Sequence, residues 1–233
     1  MTDRVSAGAP RRRGASLGRV LLGCALFLLP VAAASDARAS VSIAVAFDAL
    51  VKDADGVALI TPVDAQSVWE DGRIFTYTKV KIDQPVAGEV GGAGAEGYVR
   101  TMGGVVGKIG QMVDGEPVFV SGKSSLLFLR KLKAGNVFEV SERAQGQYPL
   151  ILDEVRKSRK IVRSANAGML LPPRNASAAG SSSQVQTQSV SGATEIAKVP
   201  MRIAQEVMHD RPVDDAAREI ATAWRRLHPA PTK

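Results

Sequence analysis

A chain of 233 residues with 45% hydrophobic and 5% aromatic side chains is long enough to bury one modest core and to carry appendages beside it. Its single cysteine, Cys24, excludes a disulfide framework, and its two histidines, His209 and His228, leave the body of the chain without an imidazole triad or a histidine zinc site. The net charge of +7 sits at the two ends: residues 40 to 152 hold 11 basic and 13 acidic side chains, whereas residues 153 to 233 hold 13 and 8.

Residues 1 to 39 have the three parts of a secretory signal peptide. Arg11, Arg12, Arg13 and Arg19 form a cationic start, "VLLGCALFLLPVAAA" an apolar core, and Ala37, Arg38 and Ala39 a small-x-small cleavage site. The apolar run is too short for a membrane span and Pro30 interrupts it. Cleavage after Ala39 predicts a mature start at Ser40 and a periplasmic or extracellular protein. The alternative is lipidation at Cys24, whose "LLGC" looks like a lipobox but precedes ten further apolar-core residues.

Residues 40 to 165 read as a β domain. Ile43, Phe47, Leu50, Val51 and Ala54 predict a short helix over 43 to 54, with Ser42 as its N-cap and Gly56 as its stop. Residues 57 to 69 and 73 to 86, joined by "EDG", predict an antiparallel hairpin. Further strands are expected at 98 to 102, 125 to 132, 136 to 143 and 146 to 154. Leu126, Leu127, Phe128 and Leu129 are apolar without alternation, as in a strand covered on both faces. Ile161 and Val162 extend this character and favour a return hairpin over 153 to 165 rather than a basic helix. The fold class expected is mainly β: a small antiparallel, OB-like barrel with a short N-terminal helix and a C-terminal helical tail.

Residues 166 to 197 are rich in Ser, Gln and Ala and read as a flexible linker. Residues 198 to 233 regain periodicity. Val213, Ala217, Ile220, Trp224 and Leu227 form one helical stripe, with Asp214 and Asp215 in the first turn and Arg225 and Arg226 in the last. Such a helix needs an apolar partner, and the barrel is the nearest.

The stretch "GGVVGKIGQMVDGEPVFVSGKSS" ends like a phosphate loop, but a Walker loop needs glycine five positions before Gly122, where Pro117 stands. The dinucleotide fingerprint fails on spacing as well, so no nucleotide and no cofactor is expected. Asp53, Asp55 and Gly56 begin like a calcium loop whose ligand series does not continue, so no metal is expected either. Gly103, Gly104, Gly107 and Gly110 permit positive φ and close backbone approach. They serve a loop that plugs a barrel end with Val105, Val106, Ile109 and Met112, or a binding loop in which Lys108, Gln111 and Glu116 supply polar contacts.

These segments, "GGVVGKIGQMVDGEPVF" followed by "LLFLR" and "AQGQY", resemble a group of uncharacterised exported bacterial proteins, many with a small β-barrel and a Gly-rich "GGxxGxxGQ...GEPxF" loop. The resemblance covers residues 43 to 165 and implies fold and export. The function expected is a non-enzymatic binding module of the cell envelope or extracellular space, taking a protein, peptide or glycan. Two alternatives stand beside it. One is an enzyme using carboxylates around the Gly-rich loop. The other is an OB-like nucleic-acid binder, for which Phe75 and Tyr77 near Lys79 and Lys81 are the hint and the acidic body the objection.

Overall fold

The computed structural model describes residues 41–133, 135–155, 157–173 and 201–229. The predicted signal peptide, Cys24, the start at Ser40 and most of the predicted linker lie outside these residues. Among the described residues no helix is long and apolar enough to cross a membrane.

The chain opens with β1 (Val41–Ile43) and the helix α1 (Phe47–Asp53). The helix is shorter than the 43 to 54 expected. Ser42 belongs to β1 and caps nothing; Ala46 is the N-cap, Ala54 the C-cap, and Gly56 starts the next strand. The physical reason is that Val41 to Ile43 pair in parallel with β11 (Met169–Leu171), which holds them extended. This pairing also places residues 169 to 171, assigned above to the linker, in regular structure.

Two long strands follow, β2 (Gly56–Glu70) and β3 (Arg73–Gly88), joined by a turn in which Asp71 and Gly72 both have positive φ. The remaining strands are β4 (Glu96–Met102), β5 (Gly104–Val106), β6 (Ile109–Gln111), β7 (Ser125–Lys131), β8 (Val137–Val140), β9 (Gln147–Asp153) and β10 (Ser158–Ile161). β9 and β10 form the return hairpin that Ile161 and Val162 predict. After α2 (Ala204–Met208), the two-residue strand β12 (Arg211–Pro212) adds to β10 and leads into α3 (Val213–Leu227).

The protein is mainly β, dominated by one antiparallel-rich sheet in the order β12-β10-β9-β7-β2-β3-β4-β8. β8 pairs in parallel with β4 and antiparallel with β7, so the pairings β7-β2-β3-β4-β8 return to β7.

β2 and β7 divide the core into two clusters, because alternate side chains of a strand point to opposite faces. Val57, Leu59, Leu126 and Phe128 face α1 and α3, where Phe47, Leu50, Ala216 and Ile220 are buried. Ala58, Ile60, Leu127 and Leu129 face the other way, toward Val80, Ile82, Val99 and Phe138. The uninterrupted "LLFL" is thus a strand covered on both faces, as its lack of alternation predicts. The C-terminal helix joins the first cluster through Val213, Ala216, Ile220 and Ala223, with Trp224 and Leu227 packed at its margin. Asp48 of α1 accepts from Arg226 of α3 at 2.8 Å, and the segments around Val45 and Arg202 exchange backbone hydrogen bonds.

Candidate functional site

The Gly-rich segment forms a small hairpin of β5 and β6 turning at Gly107 and Lys108. Gly103, Gly104 and Gly107 have positive φ, whereas Gly110 does not. Gly104 lies directly on Ser67 and Thr76, whose side chains share the face of Ile74, Thr78 and Val80, so the hairpin lies over the β2–β3 face that carries the second core cluster. Of the four apolar residues expected to plug a barrel end, Val105, Ile109 and Met112 are 66%, 55% and 77% exposed and so form no buried plug, while Val106 is half-buried.

Of the three polar residues expected to bind, Lys108 stands exposed at the hairpin tip. Gln111 accepts the Ile74 N–H at 2.9 Å and Glu116 the Met102 N–H at 3.1 Å, so both act as latches on β3 and β4. The "AQGQY" residues do likewise. Gln145 accepts the Val45 N–H and donates to the Ile43 carbonyl, while Gln147 brackets Val118 in the same way. Gly146 is required between them, because a Cβ there would overlap the Ser141 carbonyl. In effect the distinctive motif is a set of side chains standing in for backbone partners.

A group that the motif reading missed collects on β3, β4, β7 and β8. Tyr77 pairs with Arg100 and Arg130 with Glu139 across adjacent strands. The Arg100 guanidinium donates to Glu139 Oε1 at 3.1 and 2.8 Å, reaches Glu70 Oε2 at 3.4 Å, and lies 4.5 Å from the Phe75 ring centroid. Burial alone would lower its pKa, but hydrogen bonds to Glu139 and Tyr77 outweigh burial, so it is held firmly as a cation. Burial, then the hydrogen bond to Glu70 at 2.7 Å, raises the Tyr77 phenol above its ordinary range. Arg130 reaches Glu139 at 3.4 Å, and Arg143 reaches Glu116 at 3.3 Å.

Of these, Phe75, Arg100, Glu116, Arg130, Glu139 and Arg143 line a cavity of about 300 Å³ that also takes in Asp53, Met102 and Glu142. A second cavity, about 420 Å³, runs past Ser42, Asp114 and Ala167 and shares Glu142 and Arg143 with the first. Glu142 and Arg143 both have left-handed backbone, φ 55° and 53°. Left-handed backbone costs a non-glycine residue about 1–2 kcal/mol each. Hydrogen bonds from Ser141 to Phe128 and from Ala144 to Gly115 fix the strained pair in place.

No group of three or more His, Cys, Asp or Glu among the described residues is placed to hold a metal ion. The one strongly shifted group in the core, the Tyr148 phenol raised by burial, has no hydrogen-bond partner among the described residues and packs edge-on against Phe128. No family model matches the chain, nor does any curated protein or solved structure.

The sequence held one sign of the charged pocket: an arginine, Arg100, in the middle of a strand whose neighbours Val99 and Thr101 are buried. Its partners Glu70, Phe75 and Glu139 lie too far along the chain for any local spacing to join them.

Proposed function

We propose that this is an exported, non-enzymatic binding module built on an OB-like barrel, and that it takes a protein or peptide segment at the cavity around Arg100 and Arg143. The pairing cycle β7-β2-β3-β4-β8 supports the barrel reading. The cavity is lined from β3 and β4, the second and third strands of the cycle in chain order and the pair that OB-folds use for ligands, and equally from β7 and β8. The observation that carries the ligand reading is the alternation of charge. Arg100, Arg130 and Arg143 stand among Asp53, Glu116, Glu139 and Glu142, which suits a ligand offering donors, acceptors and both signs of charge.

The same geometry argues against nucleic acid. Strand binding needs open aromatic faces over a cationic groove. Here Arg100 covers the Phe75 ring, Glu70 holds the Tyr77 hydroxyl, and Glu96 pairs with Lys79 at 2.7 Å. An enzyme using Glu116 is disfavoured too, since both its oxygens are engaged, one by Met102 N–H and the other by Arg143.

The test is capture from envelope extract on immobilised wild type, Arg143→Glu and Lys108→Ala, each first shown to melt normally. Loss of the captured polypeptide with Arg143→Glu alone supports the pocket. Loss with Lys108→Ala alone moves the site to the hairpin tip, and capture unchanged in both rejects the assignment.

A further inference from the structure

β2 pairs with β7 only from Gly56 to Ile60, yet it runs on beside β3 to Glu70. Its outer edge therefore stands free beyond the last contacts on that side, Gly122 N–H to the Pro62 carbonyl and the Ser121 hydroxyl to the Val63 carbonyl. Which groups point outward follows from β3. Ile74 gives its carbonyl to Gly103 and its N–H to Gln111, both on the side away from β2. Its opposite residue, Trp69, is then in a non-hydrogen-bonded pair and turns its own N–H and C=O to the free edge. Alternation places Ser67 and Ala65 the same way. Val105 approaches Ser67 through the side-chain hydroxyl, on the face of the sheet, and leaves the Ser67 backbone open.

Three outward N–H and C=O pairs at alternate residues form a template for another strand, and natural edges of this kind are usually blunted. From Asp64 to Glu70 there is no lysine, no proline and no register shift. The charges on the edge are Asp64 and Glu70, with Asp71 in the turn. Trp69 is 48% exposed, and Val63 and Val120 are exposed at the other end.

We propose that the edge of β2 from Asp64 to Glu70 is a β-augmentation site that takes an extended segment of a partner protein in which apolar and basic residues alternate. Backbone pairing to Ala65, Ser67 and Trp69 holds the segment, and the carboxylates of Asp64 and Asp71 select its cations, Glu70 being engaged already by Tyr77 and Arg100. A second copy of the chain is a poorer occupant. The antiparallel register centred on Ser67 sets Asp64 of one copy opposite Glu70 of the other, and like charges opposite each other repel. This site is independent of the Arg100 cavity, and its test does not use that cavity.

The experiment is amide hydrogen exchange on the full chain with a blocked octapeptide of alternating valine and lysine. Slowing of the Ala65, Ser67 and Trp69 amides by tenfold or more is expected. A valine–glutamate peptide should protect them far less, and the valine–lysine peptide N-methylated on alternate residues not at all. Ala65→Pro removes one outward N–H without touching the β2–β3 ladder and should weaken binding about tenfold. If that variant fails to fold, the N-methylated peptide still decides. Equal protection by both charge patterns, no protection at all, or protection that grows with protein concentration alone together with a doubled mass would each overturn the proposal, the last by assigning the edge to a second copy.

Discussion

Gln147 holds Val118 at both of its backbone groups: Nε2 donates to the Val118 carbonyl at 2.6 Å and Oε1 accepts the Val118 N–H at 3.2 Å. Ser164 also donates to that Oε1, at 3.1 Å, from a residue 17 positions further along. One buried amide thus ties the loop after Glu116 and the turn before Ala165 to the start of β9. Gln147→Leu keeps the volume and removes all three bonds. It should cost about 1–3 kcal/mol, the usual range for stranding part-buried polar groups. The check is the denaturant midpoint together with faster hydrogen exchange at the Val118 amide.

Much of the sheet was legible because alternation is local. The β2–β3 hairpin declares itself in the two extended runs on either side of "EDG", and the two-faced burial of β7 in four residues. The stripe from Val213 to Leu227 likewise contains its own period. What stayed hidden was non-local. β1 pairs with a segment near residue 170, Gln147 reaches Val118, and Arg100 meets Glu70 and Glu139 only after the sheet has folded. The glycine pattern drew attention to the hairpin, although its polar residues Gln111 and Glu116 serve the backbone of β3 and β4.

Arg100 is both a structural tie and the floor of the proposed site. Arg100→Lys keeps the charge but loses the planar fork to Glu139 and the stacking on Phe75, so a loss of about 1–2 kcal/mol is expected. Arg100→Ala should cost more, since it leaves Glu139 and Glu70 half-buried without that partner. It has a second readout. Arg100 opposes the upward push that burial and Glu70 exert on Tyr77, so its removal should move the Tyr77 phenol still higher. Ultraviolet titration of Arg100→Ala against wild type measures this directly; an earlier tyrosine titration in the variant would contradict it.

α3 supplies a whole wall of the first core cluster. Ile220 is completely buried between α1 and the sheet, and deleting most of such a side chain usually costs about 2–5 kcal/mol. Ile220→Ala should therefore lower the melting temperature by several degrees, and truncation before Pro212 by much more. Truncation that left the melting point unchanged would mean that α3 contributes nothing to the fold.

Acid should loosen the tail first. The Arg202 hydrogen bond at 2.8 Å holds the Glu219 carboxyl below its ordinary value of 4.5, with burial opposing and Arg211 adding to the effect. A carboxyl whose pKa is lower folded than unfolded stabilises the fold above the unfolded value, and that stabilisation fades as pH falls through the folded one. Wild type should lose stability on acidification below about pH 4.5, while Glu219→Gln, lower at neutral pH, should show a flatter acid limb over the same interval. Parallel acid limbs in melting curves of the two proteins would remove Glu219 from the explanation.

The glycines of the hairpin separate into two kinds, and substitution should tell them apart. Gly107 turns at φ 61° with nothing near the position of an added Cβ, so alanine there meets only the left-handed backbone penalty, about 1–2 kcal/mol. Gly104 has φ 133° and lies on the Ser67 and Thr76 hydroxyls, which bond each other at 2.8 Å. A Cβ at Gly104 would overlap both oxygens, and Thr76 also donates to the Gly103 carbonyl at 2.6 Å. Gly104→Ala must push the hairpin off β2 and β3 or break that hydroxyl pair, so it should destabilise clearly more than Gly107→Ala. Gly110, where an added Cβ would meet Val105 and the Gly104 carbonyl only at ordinary van der Waals distance, should accept alanine with a change within about 0.5 kcal/mol. Chemical denaturation of the three variants checks the order Gly104, Gly107, Gly110. If all three proved equal, the hairpin would not be seated on Ser67 and Thr76.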